Sequence, residues 1–163
     1  MNGLYDCNEC KDNCGFGLIA HVKGEVSHRL VRTAIEALTC MTHRGGIAAD
    51  GRTGDGCGLL LQKPDRFLRR VARECGAGEL TPFYGVGTLM LSQDPKKAAE
   101  ARRVLDEELT AQGLRVAGWR QVPTNPHCLG PLALASLPLF YQVFVTDEGV
   151  SRDHLTARLF IAR

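Results

Sequence analysis

Hydrophobic and polar residues follow two different periods along the chain. Apolar positions that recur every three or four residues predict four helices, which begin near residues 27, 64, 94 and 153. Shorter apolar or alternating runs predict strands at 15–22, 58–62, 84–92, 114–121 and 140–146. The predicted order, β-α-β-α-β-α-β-β-α, indicates a mixed α/β fold.

Local signals mark several of the predicted boundaries. Ser27 is a good N-terminal cap for the first helix, which we expect to run to about His43, before Gly45 and Gly46. Asp94 followed by Pro95 is typical of a helix start. Two loops are predicted, a glycine-rich one at 51–58 and a proline-bearing one at 122–138.

Composition narrows the class of protein. A chain of 163 residues favours one domain, and 44% apolar with 23% charged residues is ordinary for a globular protein. The net charge of +2 gives no reason to expect a nucleic-acid partner. Apolar runs are too short to span a membrane, and the charged N-terminus does not resemble a secretion signal. We therefore expect a cytoplasmic protein. The sequence ends on the apolar residues Phe160-Ile161-Ala162, from which we expect that the chain is cut within a domain.

Seven cysteines, an odd number at irregular spacing, do not predict a disulfide framework. Cys7, Cys10 and Cys14 are close enough in sequence to begin a zinc or iron–sulfur site, but no fourth ligand stands at a characteristic spacing. Cys14 precedes Gly15-Phe16-Gly17, where glycines expose backbone N–H groups that favour a thiolate. A packed thiol, a metal ligand and a nucleophile are all open interpretations of Cys14.

The segment THRGGIAADGRTGDGCG, residues 42–58, is the second candidate region. Its simplest interpretation is a polar turn, but Arg44 is the type of side chain that grips a carboxylate with two hydrogen bonds. Gly54-Asp55-Gly56 offers further polar contacts, and no phosphate-binding loop motif is present. Asp50 and Asp55 would need a shared cleft to act as an acid–base pair. We expect the remaining histidines to lie at the surface: His28, His127 and His154.

Together these segments resemble a known family. DNCGFGLIAH at 12–21 and VRTAIEALTCMTHRGGIAADGRTGDGCGLLLQKPDRF at 31–67 are similar to the start of the glutamate synthase large subunit, a class II glutamine amidotransferase domain. GWRQVPTN at 118–125 and RLFIAR at 158–163 extend the resemblance over nearly the whole chain. It implies an α+β fold, the αββα sandwich of the N-terminal-nucleophile hydrolases, incomplete in this chain. Residues 1–13 would be a propeptide and 14–163 the first part of the amidotransferase domain.

The resemblance also implies roles for particular residues. Cys14 would become the first residue of the mature protein, and its own α-amine would act as general base for its thiol. The thiolate would attack the side-chain amide of glutamine and release ammonia. Arg44 would hold the α-carboxylate of glutamine, and Gly45 with Gly54, Asp55 and Gly56 would help to form the pocket. No metal is implied at these residues, and Cys7 and Cys10 have no place in the family's pattern.

The full-length family members carry further components, namely FMN, an iron–sulfur cluster and a small NADPH-oxidising subunit. The resemblance places these, the oxyanion-hole donors and the carboxylate for the substrate amine beyond residue 163, so we expect at most feeble activity from these 163 residues alone. It leaves the electron donor and the assembly state undetermined. The alternatives are another class II amidotransferase, a non-enzymatic cysteine-rich metal-binding module and a remnant without function; no membrane or nucleic-acid partner is expected.

Overall fold

A computed structural model describes residues 15–147 and 151–162. By internal contacts these residues divide into two units. The first, called here the loop unit, comprises 15–61 and 129–133. The second, the sheet unit, comprises 62–128 together with the described residues from 134 onward.

The loop unit contains one long helix, α1 (His28–Cys40), followed by a short 3-10 turn, Thr42–Arg44. Ser27 begins α1 as predicted, because its side-chain oxygen accepts the backbone N–H of Arg29 at 3.2 Å. The helix ends three residues before the predicted His43. Its apolar stripe is not buried among the described residues, and Ile35 is 51% exposed.

The prediction of strands at 15–22 and 58–62 is wrong, because the structure has no strand in either segment. A strand needs a partner for its backbone groups, and a lone extended segment gains no ladder of hydrogen bonds. The side chains of Phe16 and Leu60 are 92% and 99% exposed, so these segments are not stabilised by burial of their apolar side chains either. The apolar pattern of these segments is typical of extended chain, but it does not show whether another strand is available to pair with them.

The sheet unit is built on three strands, β1 (Tyr84–Leu91), β2 (Arg115–Gln121) and β3 (Leu139–Thr146). Their order is β1-β3-β2, and β3 is antiparallel to both neighbours. The two edge strands therefore run parallel, with the crossover between them made by α3 (Pro95–Ala111). As predicted, α3 begins at Asp94, whose carboxylate accepts the N–H of Lys96 at 2.9 Å, with Pro95 in the first turn.

Helices cover both faces of the central strand, β3. Phe144 is fully buried against Leu68, Val71 and Ala72 of α2 (Asp65–Glu74). The opposite face contributes Val143 and Val145 to a second cluster, which is completed by the buried side chains of Leu109, Leu114 and Leu155. Leu155 belongs to the last helix, α5 (Arg152–Ala162). The alternation of side chains along one strand thus supplies two hydrophobic clusters.

The close approach of β2 to the loop after α2 depends on one glycine. A Cβ placed on Gly118 would lie 2.8 Å from the Cβ of Ala77, so this position has no room for a side chain. Gly118 adjoins the register shift of β2 against β3, where Val116 pairs with Val145 and Gly118 with Phe144.

The sequence-based elements of the sheet unit agree with the structure within one or two residues, apart from the omitted helix α4 (Pro131–Ala135) and a 3-10 turn at Pro126–Cys128. Both lie in the segment predicted to be a loop. Of the histidines expected at the surface, His28 and His127 are exposed. His154 is half-buried, and its Nδ1 lies 3.3 Å from the carboxylate of the buried Asp147, which explains the difference. No helix among the described residues has the length and apolar character needed to cross a membrane.

Candidate functional site

Gly15 is the described residue nearest in sequence to the predicted nucleophile. Cys14, Cys7 and Cys10 lie outside the described residues. A Cβ placed on Gly15 would lie 3.5 Å from both Cβ and Cγ of Arg44. The side chain of Arg44 therefore packs beside the backbone of the residue that follows Cys14. The sequence separates Gly15 and Arg44 by a whole helix, and the fold brings them into contact.

Arg44 owes its position to the way α1 ends. The backbone N–H of Met41 donates to Leu38, and that of Arg44 donates to Met41 at 2.8 Å, which winds the chain into the 3-10 turn. The hydroxyl of Thr42 donates to the carbonyl of Thr39 at 2.5 Å and fastens the turn to the helix. Arg44 itself is exposed, and no carboxylate of the described residues forms an ion pair with it. An exposed guanidinium can bind a carboxylate through two parallel hydrogen bonds.

The glycine-rich segment after Arg44 folds back on itself. The N–H of Gly46 donates to Oδ2 of Asp55 at 2.6 Å, and Ile47 forms an antiparallel bridge with Gly54. The N–H of Ala48 donates to the carbonyl of Thr53 at 2.7 Å. We refer to residues 46–55 as the hairpin loop.

The hairpin loop brings together most of the predicted substrate-binding residues. Gly54 and Asp55 return to Gly46, which directly follows Arg44 and Gly45. Gly56 comes next and has a φ of 85°, a left-handed conformation that glycine adopts readily. The structure therefore collects Arg44, Gly45, Gly54, Asp55 and Gly56 at the open end of one loop, while Cys14 stands outside the described residues.

Asp50 lies at the tip of the hairpin loop, where its carboxylate accepts several hydrogen bonds. Its Oδ1 accepts the N–H groups of Arg52 at 3.0 Å and Thr53 at 2.7 Å. Its Oδ2 accepts the hydroxyl of Thr53 at 2.5 Å and the N–H of Leu132 at 3.2 Å. The hydrogen bonds from the Thr53 hydroxyl and backbone hold the pKa of the Asp50 carboxyl well below its usual range.

This geometry does not favour Asp50 and Asp55 as an acid–base pair, because each carboxylate accepts backbone N–H groups of the loop. An aspartate with a threonine three residues later is typical of a local side-chain turn, and that signal was available in the sequence. The contact with Leu132, 82 residues along the chain, was not.

Another group of perturbed side chains lies in the sheet unit. Tyr84 donates its hydroxyl to Oδ1 of Asp65 at 2.8 Å, and Arg69 binds both oxygens of the same carboxylate. Arg69 also donates to the carbonyls of Leu80 and Thr81. Burial, followed by the bond to Asp65, raises the pKa of Tyr84 to about 12. These groups satisfy one another and join α2 to β1, which is the arrangement of a structural network.

Metal ligation finds no support in the described part of the chain. Among residues 15–147 and 151–162, no three histidine, cysteine or acidic side chains form a group able to hold a metal ion. Four cysteines lie in these ranges, Cys40, Cys57, Cys75 and Cys128, and each is a free thiol. The alternative metal site at Cys7, Cys10 and Cys14 lies outside these residues.

Comparison with known proteins identifies relatives that match nearly the whole chain. Residues 14–163 match the family of class-II glutamine amidotransferases. Ferredoxin-dependent glutamate synthase 2 of Synechocystis sp. is 39% identical over 95% of this chain and 10% of its own length. The NADPH glutamate synthase large chain of Bacillus subtilis is 36% identical over 99% of this chain and 11% of its own. Ferredoxin-dependent glutamate synthase 1 of Arabidopsis thaliana is 39% identical over 92% and 9%, respectively.

The chain therefore spans about a tenth of the length of the curated relatives it matches. The resemblance found in the sequence is confirmed, since a family match and several relatives above 30% identity cover nearly all of the chain. The family match begins at Cys14, which directly precedes Gly15 in the sequence. Gly15 is the residue whose backbone contacts Arg44.

Proposed function

Because this chain belongs to the class II glutamine amidotransferase family, we propose that it is the glutamine-hydrolysing part of a glutamate synthase large subunit. It converts glutamine to glutamate and ammonia, with Cys14 as nucleophile. The observation that carries this proposal is the packing of Arg44 beside Gly15, since it puts a carboxylate-binding side chain next to the backbone that follows Cys14. The start of the family match at Cys14 supports the same residue.

In this proposal residues 1–13 are removed as a propeptide, and 14–163 belong to the amidotransferase domain. Cleavage gives Cys14 a free α-amine. An α-amine has a pKa of about 8 and a thiol about 8.5, so transfer of the thiol proton to the amine is nearly balanced. The general base and the nucleophile then belong to one residue, and the cut before Cys14 creates the catalyst.

The reaction proceeds in two steps. The Cys14 sulfur attacks the amide carbon of glutamine, the carbon–nitrogen bond breaks, and ammonia leaves with the proton that the amine had accepted. This gives a γ-glutamyl thioester. Water, activated by the same amine, then attacks the thioester carbon, and glutamate leaves as the sulfur is restored.

Arg44 binds the α-carboxylate of glutamine through its planar guanidinium. Gly45 and the Gly54-Asp55-Gly56 segment line the pocket, where the absence of bulky side chains lets the substrate approach the backbone. Fixing the α-carboxylate matters because it sets the distance between the amide carbon and the sulfur. The bond between Asp55 and Gly46 supports this arrangement, since it holds the two sides of the hairpin loop together.

We further propose that the domain has the αββα sandwich of the N-terminal-nucleophile hydrolases, with the described three-stranded sheet as part of it. In the complete enzyme, ammonia reaches a second site, where 2-oxoglutarate is converted to glutamate. The FMN, the iron–sulfur cluster and a small NADPH-oxidising subunit belong to that machinery, which we place outside this chain and inside the cytoplasm. The relatives include ferredoxin-dependent and NADPH enzymes at similar identity, so the sequence of this domain does not indicate which electron donor the complete enzyme uses.

The intact mass of the complete gene product tests the proposal. We expect the mass to fall by that of residues 1–13, and the product to hydrolyse glutamine. A Cys14→Ala variant is the control, because it lacks the thiol needed for turnover and for labelling by an electrophilic glutamine analogue. Glutamine hydrolysis by a product that retains residues 1–13 would contradict the N-terminal mechanism.

A further inference from the structure

The tip of the hairpin loop is fastened by one carboxylate. Asp50 accepts four hydrogen bonds, three from within the loop and one from the N–H of Leu132. The hydroxyl of Thr53, which donates to Asp50, also accepts the N–H of Ala133 at 3.3 Å. Two side chains of the loop thus bind the first turn of α4, whose early backbone N–H groups have no partner within the helix itself.

The segment that meets this carboxylate is fitted closely to it. Gly130 is buried, and a Cβ placed there would lie 2.6 Å from Oδ2 of Asp50 and 2.5 Å from Oγ1 of Thr53. The same Cβ would lie 2.7 Å from the backbone nitrogen of Thr53. A side chain at position 130 would therefore push the loop away from the 129–133 segment.

The fastened tip is connected to Arg44 through the two sides of the hairpin loop. From tip to base, the links are the Ala48–Thr53 hydrogen bond, the Ile47–Gly54 bridge and the Gly46–Asp55 hydrogen bond. Gly46 is two residues from Arg44. A displacement of the tip thus changes the base, where the predicted substrate-binding residues meet.

We propose that Asp50 is a positioning residue, which holds the hairpin loop against residues 129–133 and thereby sets Arg44, two residues before Gly46 at the base of the loop, for glutamine. This inference rests on the proposed function. Asp50 does not touch the substrate; it acts through the loop. An ionised carboxylate suits this role, because all four of its partners are donors.

The decisive variant is Asp50→Asn in the complete gene product. The amide keeps the shape of the side chain but presents an N–H₂ group to donors on one side, so at least one loop contact is lost. We expect the KM for glutamine to rise about tenfold, because a hydrogen bond that fixes the hairpin loop is lost, with kcat changed by less than about twofold. The matched control is Asp153→Asn, an exposed aspartate in the first turn of α5, which leaves both constants unchanged.

A merely structural role is separated by coupling to Arg44. In an Arg44→Ala background, where the guanidinium is absent, Asp50→Asn should change the KM by less than about twofold. An equal tenfold effect in both backgrounds would overturn the positioning role, as would a loss of kcat with unchanged KM. Should Asp50→Asn fail to fold, Thr53→Val removes the hydroxyl at constant shape and is expected to raise the KM, whereas Thr53→Ser retains the hydroxyl and most of the affinity.

Failure of this inference is distinguishable from failure of the proposed function. A wild-type product that does not hydrolyse glutamine contradicts the proposed function. A wild-type product that does, paired with an Asp50→Asn variant of unchanged KM, contradicts only the role of Asp50.

Discussion

Each of the two units is stabilised internally by a different kind of contact. Every buried hydrophobic residue of the described chain lies in the sheet unit, where Phe144 and Val145 are almost fully shielded from water. The described loop unit buries only Gly130 and is organised by the polar contacts of Asp50, Thr53 and Asp55. The described residues to which we assign chemistry all belong to the loop unit.

The difference shows how stability and function are divided along this sequence. Apolar burial is non-directional and tolerates modest shifts, whereas hydrogen bonds fix directions and distances. Substrate recognition needs fixed directions, and functional loops are commonly drawn from regions of low packing density. Variants of the sheet unit should therefore change stability, and variants of the loop unit should change kinetics.

The largest effect is expected from Cys14→Ala in the complete gene product. Removing a nucleophile typically lowers kcat by a factor of about ten thousand or more, and ammonia release from glutamine measures the loss.

The matched control is Cys57→Ala, which removes an exposed free thiol from the loop unit and should retain activity. Residual hydrolysis near the wild-type rate in Cys14→Ala would refute the nucleophile.

Phe144→Ala tests the sheet unit. The side chain is fully buried against α2, so its removal leaves a cavity and should lower the free energy of unfolding by about 3–5 kcal/mol. Denaturant unfolding measures the change. The same substitution in the loop unit, Phe16→Ala, should cost less than about 0.5 kcal/mol, because that ring is 92% exposed. Equal losses at the two positions would contradict the contrast in burial.

Arg44→Lys tests the expectation that variants of the loop unit change kinetics and leave stability unchanged. Lysine keeps the charge but loses the two parallel hydrogen bonds to a carboxylate, so the KM for glutamine should rise about 10- to 100-fold while stability is unchanged. Steady-state kinetics measures the rise. Arg32→Lys is the control, since Arg32 is an exposed residue of α1 in the same unit that pairs with Glu36 at 3.9 Å. An unaltered KM in Arg44→Lys would remove this residue from substrate binding.

Local signals predicted most of the sheet unit. The Asp94-Pro95 start of α3 and the apolar runs of β1, β2 and β3 depend on neighbouring residues, and the structure has each of them at nearly the predicted place. The order β1-β3-β2 could not be predicted, because pairing depends on which distant strand is available.

In the loop unit, the sequence pointed to the residue types but not to their arrangement. Arg44 and the glycine-rich segment were identified because arginine and glycine have distinctive chemistry. The contact of Asp50 with Leu132 spans 82 residues, and no periodicity encodes it. For the same reason the apolar segments 15–22 and 58–62 were predicted to be strands, although the described structure gives them no partner.

The smallest effect is expected from Tyr84→Phe, which removes a hydroxyl from the network between α2 and β1. The hydrogen bond to Asp65 is lost, while the ring remains beneath Lys63, whose Nζ lies 3.8 Å from the ring centroid. We expect the free energy of unfolding to fall by about 1 kcal/mol at neutral pH. Tyr141→Phe is the matched control, because it keeps the edge contact of that ring with Trp119.

The pH dependence of this difference identifies its cause. The pKa of Tyr84 is raised to about 12 by burial and then by the bond to Asp65, so its stabilising contribution is complete below the ordinary pKa near 10 and is lost as the pH rises from 10 through 12. The pKa of Asp65 is lowered, first by Tyr84 and then by Arg69, so its contribution is present above pH 4 and lost as the pH falls below it. The stability advantage of the wild type over Tyr84→Phe should therefore form a plateau between about pH 5 and 9 and shrink at both ends. A difference that stays constant from pH 3 to 12 would show that the Tyr84 hydroxyl does not stabilise the sheet unit through its bond to the Asp65 carboxylate.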